Sequence, residues 1–294
     1  MPHVLIITDS GAVLPDRSVA GATNLTVALN RVTLGERTGY EGTDFTVRQL
    51  WDTARTQPGA LQFNPPTTQE YYRLFQAGAA QYDAILSIHT SSQMSPSYVN
   101  AQRAAERLAG TCPIGLVDSR AMSASQGIVV QEAVIASRTT TSFDALVRHV
   151  RAVAARVFAI YYVESTETML ANEMLSAEHS ILASMLGVKP MLTFDEGQLV
   201  TTGKARTRSQ VVEQLLEFAS GFDAIEQVAI VQPEGAQRTE TTRLLVNRLS
   251  DLLPGKTFQI CSYAPTMMAL IGTHAGGLVI LSAQKEETHD TYED

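Results

Sequence analysis

The stretch Asp83–Glu106, DAILSIHTSSQMSPSYVNAQRAAE, passes from an apolar run through a cluster of hydroxyls into a second, alanine-rich run. Residues 83–89 have the length and composition of a strand buried on both faces, the kind found in parallel sheets. Residues 95–109 fit a helix. Ser95 suits an N-cap and Pro96 the first helical position, so the start of that helix is well marked. Thr90, Ser91 and Ser92 therefore lie over a helix N-terminus, where free N–H groups and the helix dipole favour an anion. Three readings of these hydroxyls compete: a serine nucleophile beside His89, a cradle for an anion, and ordinary capping.

The same alternation continues on either side. HVLIIT (3–8) and PIGLVD (113–118) read as further strands, and TTQEYYRLFQAGAAQ (67–81), SASQGIVVQEAVIAS (123–137) and SFDALVRHVRAVAAR (142–156) as helices. A second series follows, with strands expected at 157–163, 189–194, 227–232, 256–261 and 277–282. Its expected helices are 176–187, 207–220 and 236–253. Alternation of this kind predicts α/β architecture with mainly parallel sheets in two lobes. The expected boundaries are 1–160 for the first lobe, 161–284 for the second, and 285–294 for a polar acidic tail. A ligand in such a fold sits at the C-terminal strand ends or between the lobes.

Composition narrows the function. The 294 residues carry a net charge of −8, are 45% hydrophobic and 18% charged, and contain no basic patch. A globular chain is expected, with no nucleic-acid partner. Cys112 and Cys261 are far apart and lack metal-ligand spacing, which points to a reducing compartment. The opening MPHVLIITDSG has no basic segment and too short an apolar run for a signal peptide or a membrane span. A cytoplasmic protein without stable membrane insertion is expected.

Three strand ends of the first lobe supply TDS (8–10), HTSS (89–92) and VDS (117–119). Asp9 and Asp118 are expected to accept backbone N–H bonds from neighbouring loops, as turn aspartates do. The HTSS loop has no Lys or Arg, and the chain has no G-x-x-x-x-G-K-[ST] or G-x-G-x-x-G, so a nucleotide phosphate is disfavoured. Neutral donors better suit one small anion such as a carboxylate. The hydrolase reading needs a G-x-S-x-G elbow, which is absent, and a histidine ending a buried strand is more often packed than catalytic. In LIGTHAGG (270–277), Thr273 and His274 lie between apolar runs and precede two glycines. A histidine there needs a polar partner.

These segments together resemble the DegV family of bacterial fatty-acid-binding proteins. VLIITDSGAVLP is similar to the family's T-D-S strand, and TVALNRVTLGERTGYEGTDFT to its second segment, with Tyr40 and Gly42 in register. AILSIHTSSQMSPSYVNAQRAAE resembles S-I-x-x-S-S-x-L-S-G-T-Y-x-x-A, and IGLVDSRAMSASQGIVVQEA resembles V-x-D-S…S-x-G. MLGVKPML, KARTRSQVVEQLLE and IGTHAG are similar to the Lys-Pro strand entry, the K-x-R-T-R helix start and the I-G-x-H-x-G loop, and the order is kept.

The resemblance implies a long-chain fatty acid buried between two α/β lobes, bound without a cofactor or metal and without catalysis by this chain. It implies a carboxylate held by Ser91 or Ser92, with Thr273 and His274 close by. Gln62 and Phe63 stand where the family's T-S-Q-P loop has its Thr; Thr90, Asn64 and Arg206 are further candidates. The segment 175–188 offers Met, Leu and Ile for a tunnel wall. The resemblance admits a fatty acid kinase as partner, but Asn172-Glu173-Met174 replaces the family's Gly-Gly-Arg and argues against one. The histidine loop also lacks the family's Gly-Pro-Gly. The alternatives are a serine-dependent acyl hydrolase or transferase, using Ser91 or Ser92 with His89 or His274, and a binding protein for another amphiphilic carboxylate.

Overall fold

A computed structural model describes residues 2–172, 174, 187–235 and 237–284. The first half contains β1 (Val4–Asp9), β2 (Leu25–Ala28), β3 (Arg31–Leu34), β4 (Arg37–Tyr40), α1 (Val47–Thr56), β5 (Leu61–Asn64) and α2 (Thr68–Ala79). Then come β6 (Ala84–His89), α3 (Ser97–Glu106), β7 (Ile114–Asp118), α4 (Ala124–Ala136) and α5 (Phe143–Ala154). The second half adds β8 (Val157–Val163), α6 (Glu167–Ala171), β9 (Lys189–Asp195), β10 (Gln198–Ala205), α7 (Arg208–Ser220) and β11 (Ile225–Gln232). It ends with α8 (Glu240–Leu252), β12 (Phe258–Ser262), α9 (Pro265–Ile271) and β13 (Ala275–Ser282).

The first sheet is parallel throughout, in the order β2-β1-β6-β7. Every residue of β1 and β6 is buried, which is what a continuous apolar run signals. Tyr71 and Phe75 of α2, with Ala101 and Ala104 of α3, cover one face against Leu5, Ile7 and Ile85. The other face meets α4. Ten of the thirteen residues of α4 are buried, so this helix has no solvent face and must be packed on more than one side. It touches β1 and β6 below and β8 and β13 of the second sheet above. One continuous core therefore joins Ile6 and Leu86 to Tyr161 and Val279.

The second sheet departs from the parallel expectation. Its order is β10-β9-β8-β13-β11-β12, and only β11–β12 is parallel. The other neighbours pair antiparallel. An apolar run reads the same in either strand direction, so periodicity is silent on this point. The β9–β10 hairpin does have a local cause. Its two-residue turn, Glu196-Gly197, has φ of 47° and 85°, the conformation that matches the twist of antiparallel strands. Helices α7 and α8 cover the outer face through Val211, Leu215, Leu245 and Leu249.

A small antiparallel sheet, β4-β3-β5, was not expected from the sequence. Capping boxes at Thr46/Gln49, Thr67/Glu70 and Thr207/Gln210 fix the starts of α1, α2 and α7. The start of α3 is a correction. Pro96 occupies the cap position without a side-chain bond, and Ser95 Oγ accepts the Ser97 N–H at 3.2 Å. The turn closed by Met94 N–H and Ser95 N–H on Ser91 O delays the helix. The expected helix 176–187 and tunnel wall 175–188 fall almost wholly outside the described residues, as do Glu173 and the tail 285–294. Among the described residues no helix is long and apolar enough to cross a membrane.

Candidate functional site

Parallel pairing brings the C-terminal ends of β1, β6 and β7 side by side, and a buried carboxylate organises them. Asp9 accepts the N–H groups of Gly11 (3.1 Å) and Thr90 (3.0 Å) and the hydroxyls of Thr90 (2.7 Å) and Ser97 (2.7 Å). Gln126 Nε2 of α4 adds a fifth bond at 3.2 Å. Asp118 does the same on a smaller scale, accepting Ser92 N–H, Ser92 Oγ–H and Arg120 N–H. Both aspartates are the turn acceptors that the sequence led us to expect.

His89 is wholly buried, edge-on to Tyr71 and Tyr98. Burial pushes its pKa down to about 4 against the pull of Asp9 and Asp118, so the ring is neutral at neutral pH. Its Nδ1 lies 3.2 Å from Ser97 Oγ, whose proton goes to Asp9. His89 is thus a packed residue. Among the described residues neither Ser91 nor Ser92 bonds a histidine; their hydroxyls go to Gly197 O and Asp118, so neither is paired with His89 or His274 as the hydrolase reading requires.

The three loop hydroxyls each have a fixed acceptor. Thr90 serves Asp9, and Ser92 Oγ donates to Asp118 Oδ2 at 2.5 Å. Ser91 Oγ donates to Gly197 O at 2.6 Å, so the β9–β10 turn of the mixed sheet closes on the loop of the parallel sheet. An ion pair between Glu196 and Arg120 joins the same turn to a second strand-end loop of the parallel sheet, the one after β7. Gly197 is required there: a Cβ would meet Ser91 Oγ at 2.6 Å, and φ is +85°.

Beside this cluster lies a cavity of ≈ 300 Å³. Leu61, Phe63, Pro65, Met122, Ala269 and Leu270 give it an apolar wall. Asn30, Gln62, Thr90, Ser95, Asn172 and Thr266 supply polar groups, and no Lys, Arg or His is among the described lining residues. The lining comes from β5, from the loops after β2, β6 and β7, from the end of α6 and from α9. It stands at the C-terminal edge of the parallel sheet, where open α/β folds place ligands.

Of the candidates named from sequence, Gln62, Phe63 and Thr90 meet at this cavity. Ser91 and Ser92 sit behind Thr90 with their hydroxyls engaged as above. Thr273 is buried, and its Oγ1 lies 2.9 Å from Nδ1 of His274, which is exposed at the head of β13. Asn64 is exposed at the end of β5, paired with Arg31. Arg206 is exposed, and its N–H donates to Gln210 Oε1 at the start of α7. None of Thr273, His274, Asn64 or Arg206 is among the described lining residues. Asn30, Met122, Thr266, Ala269 and Leu270 escaped the sequence reading. The Pro265 helix start was the one available signal for α9.

A buried acid lies behind Asn30. Glu41 Oε2 accepts Ser10 Oγ–H (2.7 Å) and Asn30 Nδ2–H (3.4 Å). Burial lifts its pKa to about 7, against the opposing effect of those two bonds. Among the described residues no group of three or more His, Cys, Asp or Glu is placed to hold a metal ion.

Comparison with known proteins places this arrangement. A sequence model described as "Uncharacterised protein, DegV family" matches residues 3–283. A DegV domain-containing protein of Streptomyces coelicolor is 27% identical over 289 residues, covering 95% of this chain and 99% of its own. Among solved structures, a fatty acid binding DegV family protein from Streptococcus agalactiae superposes with a TM-score of 0.84 at 22% identity, covering 96% of this chain and 99% of its own. The Streptococcus pneumoniae Fatty Acid Kinase (Fak) B3 protein, loaded with linoleic acid, superposes with a TM-score of 0.80 at 16% identity, covering 96% and 100%. The family's sequence model spans both sheets and the strand-end loops between them, and this chain belongs to the DegV family.

Proposed function

We propose that this protein binds a long-chain fatty acid, without catalysing a reaction on it. One observation carries the reading: the cavity at the parallel strand ends joins an apolar wall to neutral polar groups, in a fold shared with proteins crystallised as fatty-acid binders. Burial of an acyl chain contributes roughly 0.8 kcal/mol per CH₂, so a few neutral donors suffice to orient the head group. The loops of the first lobe, with Gln62, Phe63, Thr90, Ser91 and Ser92, take the carboxylate end in this reading. Thr273 and His274 flank it from the second lobe, and Asn64 and Arg206 are outlying candidates. The second lobe supplies the rest of the acyl pocket.

The B3 relative belongs to a fatty acid kinase system by its description. For this chain the replacement of Gly-Gly-Arg by Asn172-Glu173-Met174 argues against handing the ligand to such a kinase. Both Nδ2 hydrogens of Asn172 are engaged, on Thr168 O (2.8 Å) and Ala269 O (2.7 Å).

Native mass spectrometry of the purified protein is expected to show a bound acyl chain. After delipidation the protein is expected to take up palmitate or oleate. A protein that purifies empty and takes up neither overturns the reading. A second reading, another amphiphilic carboxylate, is favoured by Gln62 in the lining; competition against fatty acids separates the two.

A further inference from the structure

Hydrogen-bonding capacity is unevenly spent around the cavity. Thr90 gives its proton to Asp9, and Asn172 gives both amide hydrogens to backbone carbonyls. Asn30 Nδ2 points to Glu41. Thr266 is different: it lines the cavity, yet its Oγ1 is buried and has no hydrogen-bond partner among the described residues. A hydroxyl stripped of water and left unpaired is unfavourable, so each such group in a folded protein calls for an explanation.

The backbone beneath Thr266 is held firmly. Its neighbours Pro265, Met267, Met268 and Ile271 are buried, and α9 packs on α1, β5 and α6. One step between staggered χ1 wells swings Oγ1 to a new direction about the Cα–Cβ bond, so the hydroxyl can be turned toward a ligand in the cavity it borders without any shift of α9. With no cationic side chain in the described lining, the head group of an amphiphile must be met by neutral donors. Among the described residues, nothing uses the Thr266 O–H as a donor.

We propose that Thr266 is a ligand-binding residue of this cavity, its hydroxyl donating to the oxygen of the bound head group and left unpaired when the cavity is empty. The proposal rests on the fatty-acid reading above. It predicts opposite effects on affinity and on stability, which a merely structural threonine would not give.

The test compares delipidated wild type, Thr266→Val and Thr266→Ser. Palmitate is titrated against the fluorescence of Trp51, the single tryptophan, which lies on α1 against Tyr263. Melting is recorded without ligand. Thr266→Val is expected to bind palmitate about tenfold more weakly, while its ligand-free Tm equals or exceeds that of wild type. Thr266→Ser keeps the hydroxyl and is expected to bind within about threefold of wild type. Wild-type affinity in Thr266→Val, or equal weakening in both variants, overturns the proposal. So does a ligand-free Thr266→Val that melts lower or fails to fold, because the hydroxyl would then have a structural partner. Wild type that takes up no palmitate overturns the fatty-acid reading itself, and this proposal with it.

Discussion

Asp9 accepts five hydrogen bonds while almost fully buried, from the loops after β1 and β6 and from α3 and α4. A carboxylate is the one side chain of this size that accepts on every lone pair. Asp9→Asn would turn an N–H₂ group toward donors, leaving buried hydrogens opposed and one of the two hydroxyls, that of Thr90 on Oδ1 or that of Ser97 on Oδ2, without this acceptor. The expected cost is about 3 kcal/mol, read from urea unfolding of wild type and variant. A loss below about 1 kcal/mol would show that the strand ends are held by packing alone. The sequence identified Asp9 correctly as a turn acceptor. It could not show which donors converge on it, because Thr90, Ser97 and Gln126 come from 81 to 117 residues away. The same limit applies to Ser91: its hydroxyl looks available for a ligand until Gly197, 106 residues on, takes it.

Helix α4 is the element on which both sheets depend. The loop after β1 crosses its first turn, with Val13 N–H on Ser123 O and Ser123 N–H on Gly11 O. Gly127 makes that crossing feasible: a Cβ there would lie 1.8 Å from Val13 O. Gly127→Ala is expected to destabilise by more than about 4 kcal/mol and to lower soluble yield. Gly21→Ala, where a Cβ meets nothing within 4 Å, is expected to stay within about 0.5 kcal/mol. Equal melting temperatures for the two variants would refute this account. The long elements were legible because burial on two faces or one leaves unbroken or periodic apolar patterns, and because Ser and Thr mark helix starts. The four-residue strands β2 to β5 are half-exposed and carry no such pattern. Strand direction in the second sheet was illegible, since apolar runs do not encode it. Helix α9 is seven residues long, too short for periodicity to register, so the cavity wall it forms could not be anticipated.

Two buried titratable groups set opposing pH dependences for the molecule as a whole. Glu41 rises from 4.5 to about 7 on folding, chiefly by burial. Between those values the folded protein holds a proton that the unfolded chain has released, so stability falls as pH rises. His89 drops from 6.5 to about 4, again by burial. Between those values the unfolded chain holds a proton that the folded protein lacks, so stability rises with pH and is lost on acidification. Each is an effect of about 3 kcal/mol, and from pH 4.5 to 6.5 the two slopes nearly cancel. Glu41→Gln removes one of them. Relative to wild type, the variant is expected to gain up to about 3 kcal/mol progressively from pH 4.5 to 7. Because the other carboxylates titrate alike in both proteins, the difference between the two urea-derived profiles isolates Glu41. A constant difference across that range would show that Glu41 ionises in the folded protein as it does in the unfolded chain. Its bonds from Ser10 and Asn30 would then offset its burial, and the polar wall of the cavity at Asn30 would back onto a charge at neutral pH. A difference that grows with pH would mean that the same wall backs onto a neutral acid at the lower end of the range.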